Sequence, residues 1–583
     1  MKTQSVFVCL GWWLVSLGAI GCSGYRPLRL ELSYPVPCAS PQSQPVVFDC
    51  IQIRLCDPSG RECAKLVQEG GDHAAGTEVL LVRGGAGFVR IDAKLESDRE
   101  YVVEVIALKG REALAVGRAL LRERAQGRIW LHPTKEWRCL PFDNEWMFRA
   151  FHSGVVLPDG NALVIGGLRW PPANPLDPNP IGRGPEFAEL VPAEHSVLLY
   201  DAKERRLYKV TARGSIELLE RAFFEARWVG RDPNGRERIW LLGGAGRGSK
   251  FCFRYADPQL ARAVATTSPD CASGALSAPV AALAEILLDP RERAAEVRAL
   301  SGEAREITLE PLASRLGFGL PPMSSEFDAL LGASRGSSGV VSQVGAISVN
   351  ESGPDITLGP TLTMRRGATI NRFGNVVTVF GAADGGGQAI HMYERNGRNW
   401  MALTPRLPDL VATSFHKAYA FRWEGSSQQW LWLIVGGVAP VDVPPLRLLR
   451  WDPTRNELGV EALGGELPSM PRVHQASLQF DHDGKQGVVV TGGLWMRAAP
   501  SLQVDVTNEG FWVEVVRGKV ANALPPMSSP RFGHSILWLP DGELWVMGGV
   551  EFRMEMGVPV LRLVDRAESL GWMPGWPTPT SCE

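Results

Sequence analysis

What this 583-residue chain lacks narrows its work before any motif is considered. It has no excess of positive charge: 61 Lys and Arg against 63 Asp and Glu leave a net charge of −2 and an isoelectric point near 6.6. A nucleic-acid surface needs a basic patch or stripe, so no nucleic-acid partner is expected. The tight C-x-x-C spacing of a structural metal site is missing, and so is the ligand series of an EF-hand. No G-x-S-x-G, H-E-x-x-H or P-loop occurs. Hydrolase, zinc-protease and nucleotide-binding readings therefore have no foothold, and no metal or cofactor is expected. The apolar stretch at the start, over 6–20, is short for a spanning helix, and no other segment reaches spanning length.

What is present is an echo. Residues 152–167 read HSGVVLPDGNALVIGG and residues 534–549 read HSILWLPDGELWVMGG, identical at nine of sixteen positions. In each copy an apolar run meets Asp-Gly and a second apolar run follows, the strongest short-range hairpin signal. The closing Gly-Gly lets backbone pass where a Cβ would collide. Such closings recur at Gly166-Gly167, Gly243-Gly244, Gly381, Gly436-Gly437, Gly492-Gly493 and Gly548-Gly549, spaced 77, 138, 55, 56 and 56 residues. A repeat of about 50 residues, with short runs rich in Val, Ile, Leu and Trp, predicts a β-propeller blade rather than a helical solenoid.

An Arg and a His lead a strand at Arg149…His152, Arg472-Val473-His474 and Arg531…His534. Downstream of the glycines come aromatic-Asp hairpins: LLYDAKERRLY at 198–208, MYERNGRNW at 392–400 and RWDPTRNEL at 450–458. Together these features resemble the kelch-repeat β-propeller family over about 430 residues. The resemblance implies an all-β fold but little about function, because propellers host many activities. Residues 321–346, PPMSSEFDALLGASRGSSGVVSQVGA, echo PPMSSPRFGHSILWLPDGELWVMGGV at 525–550 and predict a degenerate blade. Seven blades are expected, with six the alternative. Residues 278–300, rich in Ala, Leu, Glu and Arg, suit a helix or irregular insertion near 257–320.

The start of the chain reads as a targeting segment: Lys2, an apolar stretch over 6–20, then Ala19-Ile20-Gly21-Cys22. These four residues resemble the bacterial lipobox, which implies removal of 1–21 and acylation of Cys22. The alternative is an ordinary secretory signal with an incidental Cys. Ser23 after the Cys implies, by the same resemblance, the outer membrane of a Gram-negative envelope, held through the lipid alone. Residues 22–138 lack the repeat and carry alternating segments at 28–32, 51–55 and 101–106, predicting a small β-sandwich ahead of a propeller over 139–583. Eight cysteines remain after processing, an even number that fits disulfides in an exported chain. A propeller joins its first and last blades, so Cys139 is expected to pair with Cys582, and Cys252 with Cys271. Cys38, Cys50, Cys56 and Cys63 then pair within the sandwich.

His152, His416, His474 and His534 stand just before strands at a recurring point of the repeat. Recurrence at a repeat position is what packing or turn bonding produces. With Arg149, Arg366, Arg472 and Arg531 they are also the candidate ligand-binding set, a ring of cationic groups suited to an acidic ligand. The domain order resembles galactose oxidase, but the Cys–Tyr thioether of that copper site has no counterpart among Cys139, Cys252, Cys271 and Cys582, and no residue is assigned as catalytic. The expected function is a lipid-anchored envelope binding or scaffold protein whose partner is an envelope protein or glycan. The alternative is a carbohydrate-active enzyme, a sugar mutarotase or an oxidase-like protein, working at the channel mouth.

Overall fold

The Leu-Pro-Asp-Gly segments fold as their chemistry directs. In a computed structural model of the chain, Gly160 and Gly542 take φ of 92° and 87°, which a side chain would resist. Each glycine N–H donates to the leucine carbonyl three residues back, at 3.0 Å in both turns. A second turn recurs between later strands: the carboxylates of Asp201, Asp289 and Asp452 each accept main-chain N–H groups two and three residues on. Among the described residues these two turns punctuate a fold that is almost entirely β, with a short 3-10 turn at Ile216–Leu219. The structure describes residues 25–33 and most of 48–574, leaving aside 170–186, 255–282, 301–314, 317–327 and shorter loop stretches. Among the described residues no helix is long and apolar enough to cross a membrane.

From Arg138 onward, six units, each a sheet built on four antiparallel strands, follow one another, and three of them add a fifth strand in parallel pairing, Thr211–Gly214, Arg315–Leu316 and Gly464–Gly465. Their first strands are Ser153–Val156, Glu225–Arg231, Thr369–Phe373, Lys417–Arg422, Ala476–His482 and Ser535–Trp538, which we use to number units 1 to 6. Unit 6 takes its outer strand, Arg138–Cys139, from the chain segment before unit 1. Between units 2 and 3 lies a three-stranded sheet of Asp328–Gly336, Gly339–Asn350 and Gly353–Leu362. It occupies the segment where a degenerate blade was expected, with three strands instead of four.

Of residues 278–300, the described part from 283 onward is not a helix. Leu283–Asp289 and Ala294–Ala299 are the third and fourth strands of unit 2, so the insertion expected near 257–320 does not include them. Burial overrides the helical preference of Ala, Glu and Arg here. Positions 283–288 are all buried, and Glu285 is held by Arg238 at 2.9 Å, Arg298 at 2.7 Å and the Trp240 indole at 3.0 Å.

Successive units face one another across apolar cores. One joins units 1 and 2, others units 3 and 4, 4 and 5, and 5 and 6. A further core, with Val164, Tyr200, Leu537 and Trp545, joins unit 6 back to unit 1. The three-stranded sheet shares a core with units 2 and 3 through Val344, Ala346 and Leu362. The glycine pairs stitch the same junctions. The N–H of Gly167, Gly437, Gly493 and Gly549 donates at 2.8 Å to the carbonyl of Arg221, Arg472, Arg531 and Arg149, each in the next unit. A Cβ on Gly548 would collide with that Arg149 oxygen, which is why glycine is needed there.

Residues before Arg138 form two sheets that bury their facing sides in one core around Leu30, Ile53, Ile91 and Val103. Cys56 and Cys63 form a disulfide, and Cys50 is also disulfide-bonded. The outer side of one sheet meets the turns of units 5 and 6 through charged groups: Glu104 holds Arg54 and Arg118 and reaches His482 Nε2 at 3.1 Å.

Candidate functional site

The first strands of all six units line one cavity of about 210 Å³. Alternation along each strand turns every second side chain toward it. Its titratable lining includes Glu225 of unit 2, Lys417 and Tyr419 of unit 4 and three imidazoles, with the Ser477 and Ser535 hydroxyls between them. Tyr419 and Ser477 are hydrogen-bonded to each other.

Of the expected site residues, His152, His474 and His534 line this cavity, whereas Arg149, His416, Arg472 and Arg531 do not, and the polar atoms of most have local partners. His152 Nε2 lies 2.6 Å from Ser535 Oγ, His534 Nε2 lies 2.9 Å from Thr491 Oγ1, and His416 Nε2 lies 2.9 Å from Thr369 Oγ1. Each bond crosses from one unit to the preceding one. Burial, then the Arg149 guanidinium, holds His152 down to about 3. Burial, then Arg531, Lys417 and His152, holds His534 well below its ordinary range. Both imidazoles are neutral at physiological pH. The arginines turn to backbone: Arg149 Nη1 donates to Gly166 O at 3.2 Å, Arg531 Nη1 to Gly548 O at 3.2 Å, and Arg472 Nη1 to Glu509 O at 3.0 Å.

His474 does not share the register of the other three. Counted from the leading Arg, the position of His152 and His534 is held in unit 5 by Gln475, which donates to Val435 O at 3.1 Å. His474 instead matches Phe151, Phe223 and Gly533, all four with φ between 54° and 63°. Arg366, Cys22, Cys271 and Cys582 lie outside the described residues. Cys139 is disulfide-bonded and sits opposite Glu568 on the last strand, while Cys252 lies on the strand Phe251–Arg254.

Sequence reasoning missed Arg221, fully buried and donating to Gly243 O at 3.1 Å. Its signal was legible: Arg221-Ala-Phe-Phe repeats Arg149-Ala-Phe-His with only the last residue changed. Unit 4 has Thr413 in place of the leading Arg, and Arg447 from its third strand donates to that hydroxyl at 2.6 Å. Lys417, Tyr419 and Glu225 had no motif to mark them. Their one signal is alternation along strands that follow the leading segment.

A second charged cluster joins the two-sheet domain to unit 6. His132 presents Nε2 to Asp541 and Nδ1 to Glu543, each at 3.3 Å, and Arg205 binds the same two carboxylates at 3.1 and 2.9 Å. Burial alone would depress His132, but the charges of Glu543 and Asp541 overcome it and raise it to about 9. The residue types suit a metal ion. The geometry is that of an imidazolium bridge, since the ring gives each nitrogen to a different carboxylate and a single ion engages one nitrogen per ring.

No family model matches the chain, and no curated protein matches it. Among solved structures it aligns with the structure of YjhT at 9% identity, covering 71% of this chain and 97% of that chain, with a TM-score of 0.30. A superposition that loose assigns neither fold family nor function.

Proposed function

We propose that the chain is a lipid-anchored binding protein of the cell envelope, built as a kelch-type propeller on a small sandwich domain. Support for a closed circle comes from the junction of unit 6 with unit 1, where the glycine-to-arginine bond and the apolar core repeat those of the interior junctions. The three-stranded sheet, sharing a core with units 2 and 3, is then a reduced seventh blade. The six-blade alternative leaves that sheet outside the circle.

The observation that carries the binding reading is the state of the recurring histidines. His152 and His534 are neutral, and with His416 they are tied laterally to hydroxyls, so that they brace neighbouring units instead of offering proton transfer. Recognition then falls to the cavity mouth and the loops around it, with an envelope protein or glycan as the partner. A carbohydrate-active enzyme is the second reading, favoured by Glu225, Lys417 and Tyr419 lining one cavity.

Two measurements test this. The Cys22→Ser variant is expected to leave the membrane fraction, and a variant that stays membrane-bound and is processed normally contradicts the anchor. The mature chain is expected to retain a ligand from envelope extract or a glycan array without chemical change, and Glu225→Gln to leave product formation at zero in both forms. Sugar turnover lost in Glu225→Gln would favour the enzyme.

A further inference from the structure

We infer that Phe151, Phe223 and His474 form an aromatic barrier that seals the cavity over units 5, 6, 1 and 2, so that ligands enter past Thr369, Lys417 and Tyr419. This rests on the cavity being the ligand site. The three residues hold left-handed backbone at φ of 54°, 57° and 54°, a conformation that bulky side chains seldom adopt. The backbone there serves a chain of main-chain bonds between units. Gly533 N–H donates to His474 O at 2.9 Å, Phe151 N–H to Gly533 O, and Phe223 N–H to Phe151 O at 3.0 Å. Unit 6 meets the same demand with Gly533 at φ 63°, so the bonds themselves need no side chain. Aromatic rings kept at three strained positions, where glycine serves the fourth, have their reason in what the rings cover.

They cover one arc. The Phe151 ring lies over Gly533, whose Cβ would meet it at 2.6 Å, and so reaches across unit 6. It tilts against Phe223 at 4.2 Å, meets His474 edge-on at 5.7 Å and Phe532 edge-on at 6.2 Å between ring centres. Four consecutive units are thereby bridged by rings that line the cavity. The connections beyond the glycine pairs thicken the same arc. Strands Phe187–Pro192 and Phe251–Arg254 pair with each other, Phe187–Pro192 touches Val558–Leu563, and Gln503–Val506 touches Val550–Glu555. In units 3 and 4 the corresponding connections are only residues 381–389 and 436–445. On that side the lining is Thr369, Lys417 and Tyr419 with Ala418 between, and among the described residues no such ring spans it. The barrier therefore sets which side admits a ligand and how large it can be.

The test needs no known ligand. Ser477→Cys places a thiol on the cavity wall, and its modification is followed by peptide mass mapping with iodoacetamide and with a bulky biotin–maleimide. Iodoacetamide is expected to react and the bulky reagent to lag. Adding Phe151→Gly and Phe223→Gly, which glycine's backbone freedom tolerates, is expected to raise the bulky-reagent rate by about tenfold or more. Phe480→Ala, which loosens the core between units 5 and 6 away from the barrier, is expected to leave that rate unchanged. Unchanged bulky labelling in the glycine variants, or an equal rise in Phe480→Ala, overturns the barrier. Because the readout is access to the thiol introduced by Ser477→Cys and not ligand capture, its failure is distinguishable from failure of the binding reading.

Discussion

An Arg531→Met variant is expected to lose about 3–5 kcal/mol of stability, the cost of leaving a buried charge without its partner. Arg531 is fully buried, and its guanidinium serves Gly548 O at 3.2 Å, Arg566 O at 3.1 Å and the Glu568 carboxylate. Methionine fills much of the volume and serves none of these. Glu568, itself 1% exposed, would keep only partners such as the Ser528 N–H at 2.7 Å. A second change, Glu568→Gln, removes the stranded charge and is expected to recover part of the loss, a coupling that a double-mutant cycle measures. Arg455 gives the contrast. Its side chain is 78% exposed and lies 4.0 Å from Asp452, so Arg455→Ala is expected to cost less than about 1 kcal/mol. Urea midpoints of the mature chain check all of these, and an Arg531→Met midpoint equal to that of Arg455→Ala contradicts the role assigned to the leading arginine.

A Glu543→Gln variant is expected to lose about 3 kcal/mol and to lose most of its alkaline pH dependence. Burial would by itself keep Glu543 protonated, but His132 and then Arg205 hold it below the ordinary carboxylate range. His132 is raised to about 9 in the folded chain against an ordinary value of 6.5. A raised imidazole contributes stability that is fully present below 6.5 and disappears as pH rises through about 9. A lowered carboxylate contributes stability present above 4.5 and lost as pH falls through its folded value. The parent is therefore expected to be most stable between these limits, at mildly acidic pH, and to weaken steadily toward pH 9. In Glu543→Gln the alkaline slope flattens, because the larger of the two charges raising His132 is gone. Urea midpoints taken across this range measure the slope, and identical alkaline slopes in parent and variant would show that His132 does not titrate in this bridge.

The turns were legible because their chemistry is local. Asp159-Gly160 and Asp541-Gly542 specify hairpins through φ and a neighbouring carbonyl, with no help from distant residues. The strands at 283–299 were obscured by composition, although Asp289-Pro-Arg-Glu-Arg293 carries the turn of Asp201-Ala-Lys-Glu-Arg205, down to a left-handed arginine at its end. Reading the turn before the composition would have recovered them. His474 misled because it stands one residue from the position it mimics, and a one-residue offset moves a side chain to another face. The His132 bridge had no signal at all, since it joins a strand of one domain to the hairpin turn of another through side chains far apart in the chain.

Closure of the unit array is the claim on which the rest depends, and a non-reducing peptide map of the mature, oxidised protein tests it most directly. Strand Arg138–Cys139 pairs with the last strand of unit 6, and Cys139 is disulfide-bonded. A covalent seam across so long a loop would stabilise the chain by about 4–5 kcal/mol at most. The predicted result is a peptide linking Cys139 to Cys582. Alkylation of Cys582 in the native, unreduced protein, with Cys139 joined elsewhere, would contradict the seam.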